Sequence, residues 1–177
     1  MTVLSAKEIQ ALTVAVELSD LPVKYRKIIA GLLARSGTQA QAWDADLFVD
    51  GAADLHSQTA GIGGAVFVEG KEIYCFFEPL LNKTNNEAEY TALLKGVQTI
   101  LELKLVNINI YSDSELIVNQ IKGKYNIKND RMIVLHGQVM DALNGVKTWS
   151  IHHIRREKNK RADGLSKQGM ARAKAAK

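Results

Sequence analysis

Four acidic residues stand where a carboxylate is costly or unexpected: Asp50, Glu89, Asp113 and Asp163. Asp50 interrupts the apolar run LFVDGA. A carboxylate there needs a partner or a metal unless it faces outward on a strand. Gly51 beside it allows a ligand to come close to the backbone. Glu89 falls in the first turn of a helix opening near Thr84-Asn85-Asn86. Asn86 and Glu89 have capping-box spacing, and Glu87 competes for the chemical role. Asp113, in YSDSE, has the alternative role of N-cap for Ser114–Ile121. Asp163 opens the last helix, where it could simply complement the helix dipole. Gathered at one point, such carboxylates would repel one another unless a divalent cation were present. Hard cations such as Mg²⁺ or Mn²⁺ take oxygen ligands. Two such ions, ~3.5–4 Å apart, can activate a water and stabilise a leaving oxygen in phosphodiester cleavage.

The elements that must carry these acids follow from periodicity. Leu47 begins a strand that runs through Asp50 to Ala53. Ile62–Val68 and Lys71–Phe77 form two more strands, joined at the turn signal Glu69-Gly70. Asn86–Leu103 reads as a long helix, with Ala88, Leu93, Leu94, Val97 and Leu101 apolar. Val106–Tyr111 is a fourth strand and Glu115–Ile121 a short helix. Arg131–Leu143 is a helix, Lys147–Ile154 a fifth strand and Lys160–Lys174 the last helix. The order βββαβααβα predicts an α/β fold, a five-stranded mixed sheet flanked by helices. Ligand sites in such sheets form at the carboxyl ends of parallel strands. That places Asp113 and Asp50 together, with Glu89 and Asp163 at converging helix starts.

Residues 1–43 read as an N-terminal helical hairpin and linker, and residues 44–177 as the main domain. Ser5 and Glu8 suggest a capping box for a helix over 5–19. Pro22 suits a first helical position of a second helix ending near Ala34, with Ile28, Ile29, Leu32 and Leu33 on one side and Gly37 as its cap. A hairpin this short cannot hold its own core, so it must pack on the main domain or on another chain.

The chain has 177 residues, 46% hydrophobic and 24% charged, which suits a globular protein. No apolar run has the roughly 20 residues a membrane helix needs, and the start lacks a secretory layout. The single cysteine, Cys75, reads as a buried thiol in a reducing, cytoplasmic setting. Net charge is +4, but residues 155–177 hold nine Lys and Arg against Glu157 and Asp163. That segment is +7 and the remainder −3. A run of this kind is a solvated tail or a phosphate-binding edge; its adjacency to Asp163 favours the second.

LFVDGAA, TNNEAEYTALLKG, IYSDSELIVNQIKGKY and HHIRREKNKRADGLSKQ, in this order, resemble ribonuclease H of type 1. The likeness covers about residues 45–170 and is nearest to the compact archaeal and bacterial branch without a basic handle. It implies an endonuclease that hydrolyses the RNA strand of RNA–DNA hybrids, leaving 5′-phosphate and 3′-hydroxyl ends. It implies that Asp50, Glu89, Asp113 and Asp163 hold the metals, and its T-N-N-x-x-E spacing selects Glu89 over Glu87. By the same resemblance Gly51, Asn85, Asn86 and Ser114 contact the hybrid, the amides suiting RNA 2′-OH groups and base edges. Glu115 stands where some members have an amide. The histidine that many members carry before the last aspartate is absent from Arg155-Arg-Glu-Lys-Asn. Arg156 or Lys158 stands in its place, while His152 and His153 come too early. The handle is missing, leaving Lys122, Lys124, Lys128 and Arg131 as a thinner basic set. The hairpin matches no hybrid-binding module; packing or self-association is its expected role ahead of nucleic-acid contact, for which Lys24, Arg26 and Lys27 speak. Two other readings compete: a different nuclease of the same fold, and a nucleic-acid-binding protein that has lost catalysis.

Overall fold

The computed structural model describes residues 12, 14–16, 21–35 and 44–176. The chain divides into two units, Met1–Ala42 and Trp43–Lys177. In the first, α1 spans Val23–Arg35. The N–H groups of Tyr25 and Arg26 donate to the Pro22 carbonyl at 2.9 and 3.2 Å. Pro22 therefore lies just outside the helix, one place earlier than the sequence suggests. Tyr25, Ile28 and Leu32 are exposed. Of the helix expected over 5–19, residues 12 and 14–16 are described and are helical; its Ser5/Glu8 box, the Gly37 cap and the Leu33 side chain fall outside the described residues.

The second unit runs β1 (Ala45–Asp54), β2 (Thr59–Val68), β3 (Lys71–Leu81), α2 (Asn85–Glu102), β4 (Asn107–Ser112), α3 (Glu115–Ile121), α4 (Asp130–Leu143), β5 (Thr148–His153), a 3₁₀ turn (Arg156–Lys158) and α5 (Lys160–Ala175). The sheet order is β3-β2-β1-β4-β5. The first three strands are antiparallel, and β4 and β5 run parallel to β1. This is the mixed sheet the element order predicts. Glu69 and Gly70, at φ +52° and +77°, close the β2–β3 turn with the backbone twist tight hairpins favour. Both hairpin strands outrun their apolar runs. Thr59-Ala60-Gly61 pairs with Pro79-Leu80-Leu81, and β3 is an edge strand that tolerates a proline.

One face of the sheet buries the core. Leu47, Val49, Ile62, Ile108 and Ile110 pack against Tyr90, Leu93, Val97 and Ile100 of α2, with α3 and α4 alongside. Those α2 positions recur every three or four residues, so they share one side of the helix. Each fully buried Leu or Ile contributes about 1.5–3 kcal/mol.

The other face receives α5, and two glycines set how close it comes. A Cβ on Gly61 would lie 2.1 Å from the Met170 nitrogen, and one on Gly63 would lie 2.3 Å from the Ser166 nitrogen. With no side chains there, the helix backbone rests directly on β2. Gly63 is the register partner of Asp50, so this close seat brings α5 up to Asp50. Arg161 fastens α5 to the edge strand through two 2.8 Å hydrogen bonds to Glu72. Cys75 is half-buried rather than buried, because β3 is the sheet edge. Arg161 reaches its sulfur at 3.5 Å.

Candidate metal centre

Parallel pairing of β1 and β4 runs to the Phe48–Tyr111 pair. Asp50 and Asp113 each lie two residues beyond it, so the two strand ends present them side by side. Glu89 arrives from α2. Carboxylate oxygens of Asp50, Glu89 and Asp113 lie within 4.8 Å of one another. Asp50 and Glu89 are buried, at 4% and 7% exposure; Asp113 is half-buried.

Glu87 and Glu89 are placed differently by the cap. Thr84, not Asn86, is the N-cap of α2, and the capping box joins Thr84 to Glu87. The Glu87 N–H donates to Thr84 Oγ1 at 3.3 Å, and the Thr84 N–H donates to Glu87 Oε2 at 3.0 Å. Glu89, two residues on, is turned by ~200° around the helix and faces β1. Its Oε2 accepts the Gly51 N–H at 3.3 Å. Gly51 is needed for a different reason from the one its sequence neighbourhood suggests. A Cβ there would lie 2.2 Å from the Glu89 nitrogen, so the backbone that approaches it is that of α2.

Asp113 is not an N-cap either. Ser114 takes that place without a side-chain cap, and Asp113 Oδ1 accepts a 2.7 Å hydrogen bond from Asn159 Nδ2. Asp163 stands apart from the three clustered acids. Its carboxylate is gripped by Arg156 and by Lys167, the latter at 2.6 Å. It remains a neighbour of Asp50 through Ser166, whose hydroxyl donates to Asp50 Oδ2 and lies 2.9 Å from the Asp163 carbonyl.

Electrostatics separate the acids further. Burial pushes the Asp50 carboxyl up to about 7, opposed by the Ser166 hydrogen bond and reinforced by the charges of Asp113 and Asp163. Burial pushes Glu89 up to about 9, again reinforced by Asp50 and Asp113 and opposed by the Gly51 N–H and Arg156. Burial also acts upward on Asp163, but hydrogen bonds from Lys167 and Arg156 outweigh it and hold its carboxyl below the ordinary range. A buried group of carboxylates cannot ionise together without a counter-charge. Three oxygen ligands in a crowded, partly dry pocket are the donor set a hard divalent cation takes, so these residues fit such an ion.

The other expected contact residues surround this centre. Asn85 and Asn86 are exposed at the opening of α2, and Ser114 is half-buried at the start of α3. Arg156 is exposed and committed to Asp163. Lys158 is exposed and borders a cavity of about 260 Å³ with Asp46, Phe48, Phe67 and Arg161. His152 and His153 end β5; His152 meets Ser150 at 2.6 Å. Three residues that touch the acids escape sequence reading: Asn159, Ser166 and Lys167. Asn159 sits unmarked in a basic block. Ser166 carries a faint signal, since it is three residues after Asp163 on the same side of a helix.

A mixed five-stranded sheet with carboxylates at its parallel strand ends defines the ribonuclease H-like class of α/β domain. Residues 48–169 match the family model described as reverse transcriptase-like. Ribonuclease HI of Halobacterium salinarum is 26% identical over 130 residues, which cover 70% of this chain and 62% of that protein. The chain thus spans about three fifths of that relative's length. The structure of LC11-RNase H1 in complex with an RNA/DNA hybrid is similar at TM-score 0.69 and 30% identity, covering 73% of this chain and 98% of that one. The N-terminal RNase H domain of a Mycobacterium tuberculosis protein shares the fold at TM-score 0.73 and 23% identity, covering 76% of this chain and 99% of that one. This chain belongs to the ribonuclease H type 1 family.

Proposed function

We propose that the protein is a ribonuclease H that hydrolyses the RNA strand of RNA–DNA hybrids with two Mg²⁺ or Mn²⁺ ions, leaving 5′-phosphate and 3′-hydroxyl ends. The observation that carries this reading is the crowding of Asp50, Glu89 and Asp113 within 4.8 Å, with the first two raised to about 7 and about 9. The solved hybrid complex of LC11-RNase H1 supports the substrate. Bound cations would neutralise these acids, activate the attacking water and stabilise the 3′-oxygen as it leaves.

The chain's own part is to bind and orient. Asp50, Glu89 and Asp113 hold the cations. Asp163 would add a fourth oxygen donor, and Arg156, its partner in the structure, would serve as a contact to the phosphate backbone. Asn85 and Asn86 offer amides to 2′-OH groups and base edges. Asn86 also lines a cleft of about 300 Å³ with Thr84, Glu87, Asn129, Arg131 and Met132. Gly51, Ser114 and Lys158 complete the contact set. Residues 44–177 form the catalytic domain in this reading, and residues 1–43 an accessory hairpin. The exposed Tyr25, Ile28 and Leu32 support self-association through it. The lone half-buried thiol fits a cytoplasmic setting, and no helix of the described residues is long and apolar enough to cross a membrane.

The test is incubation with labelled RNA–DNA hybrid, with and without Mg²⁺ or Mn²⁺. Cleavage of the RNA strand that requires the cation is expected. Binding without cleavage, or cleavage of duplex DNA instead, sinks the proposal.

A further inference from the structure

Two neutral side chains reach the acid cluster from the segment around the start of α5. Asn159 is 1% exposed and Ser166 is 0% exposed. They stand four residues before and three after Asp163. The Asn159 amide nitrogen uses both of its N–H groups. One donates to the Val49 carbonyl at 2.9 Å, in β1 immediately before Asp50, and the other to Asp113 Oδ1 at 2.7 Å. This bridge begins where the β1–β4 ladder ends, at Phe48–Tyr111. The Ser166 hydroxyl donates to Asp50 Oδ2. Its seat is set by the contact with Gly63, where a Cβ would come 2.3 Å from the Ser166 nitrogen.

We infer that Asn159 and Ser166 are positioning residues that set the spacing of Asp113 and Asp50 for cation binding. The inference rests on the reading of the acid cluster as a metal centre. Neutral donors suit this task for a physical reason. A lysine or arginine would hold a carboxylate equally well, but it would supply the positive charge that a cation must supply. An amide or hydroxyl fixes one oxygen and leaves the other, and the full negative charge, for the metal. Outer partners of this kind orient ligands and tune metal affinity.

The experiment measures Mn²⁺ binding to the full chain by calorimetry without nucleic acid, in Asn159→Ala, Ser166→Ala and Asp50→Asn. Hybrid cleavage and thermal unfolding of each variant accompany it. Asn159→Ala and Ser166→Ala are each expected to weaken Mn²⁺ about 10-fold. They should lower kcat at limiting metal, leave KM for the hybrid unchanged and recover kcat as Mn²⁺ is raised. A folded variant of either kind that binds Mn²⁺ like the wild type overturns the inference. So does loss of cooperative unfolding in both, which would give the contacts a purely structural role. Asp50→Asn separates the two levels. If it binds Mn²⁺ normally, the metal-centre reading itself fails. If it loses Mn²⁺ while the other two keep it, only the positioning role fails.

Discussion

At the opening of α2, Glu87 closes a capping box with Thr84, while Glu89 is pressed against Asp50 and Asp113. At the opening of α5, Asp163 is gripped by Arg156 and Lys167. Two helix starts thus bring acids toward one place and treat them in opposite ways. On the α5 side the charge is neutralised within the protein. On the α2 side it is buried beside like charges, with one N–H from Gly51 to stabilise it. The difference teaches where a cation is wanted. A compensated carboxylate is a modest ligand in waiting, whereas an uncompensated cluster is a standing cost that a divalent ion removes.

The contrast breaks first at Asp50, the acid shared by both sides. Asp50→Asn should abolish turnover while the far-ultraviolet circular dichroism spectrum stays native; measurable cleavage would contradict its central place. Next in size is Gly51→Ala. A Cβ 2.2 Å from the Glu89 nitrogen must displace α2, at a cost of about 1–3 kcal/mol or more, and should reduce both stability and turnover. Urea unfolding beside a cleavage assay reads the two effects. Asp163→Asn should lower activity less than Asp50→Asn, by roughly 10–100-fold if its part is to tune one cation. An equal loss would erase the distinction between the two helix starts.

The metal-free protein offers a finer test through pH. Asp50 and Glu89 have folded-state values of about 7 and about 9, above their ordinary 3.8 and 4.5. Between those limits the folded state holds protons that the unfolded chain has released. Stability from these groups is therefore greatest below about pH 4 and falls as pH rises toward 9. Thermal melts without metal should show this decline, and Mn²⁺ should restore more stability at pH 8 than at pH 5. Glu89→Gln should stabilise the metal-free protein at pH 8 and do little at pH 5. The smallest effect is the mirror image. Glu87→Ala removes half of a capping box and should destabilise by about 1 kcal/mol, with no stabilisation at high pH. If both glutamates responded alike, the opposition between cap and cluster would be wrong.

Much of this was legible in the residues. The βββαβααβα order follows from periods of two and near 3.6, which depend on neighbours in the chain. The hairpin at Glu69-Gly70 and the helix Glu115–Ile121 are local in the same sense. That Asp50 and Asp113 are neighbours also follows, because the order of elements makes β1 and β4 adjacent and parallel. The strand ends Thr59–Gly61 and Pro79–Leu81 were missed because their pairing depends on each other rather than on alternation.

What the tertiary structure decided is who partners whom. Asn86 with Glu89 and Thr84 with Glu87 share capping-box spacing, and the Thr–Glu pair is the one that matches the Ser/Thr-x-x-Glu pattern. The direction in which α2 meets β1 leaves Glu87 at the cap and turns Glu89 to the cluster, in line with the T-N-N-x-x-E resemblance. Gly51 reads as room for a ligand and Gly63 carries no signal, yet each is a seat for a helix arriving from far along the chain. Asn159 and Ser166 carry no charge, and their contacts with the acids exist because the segment opening α5 is seated against β1 and β2. Sequence determines the local elements and the charges they carry. Packing across 38 to 116 residues of separation determines which charges are neutralised, and so where the chemistry can occur.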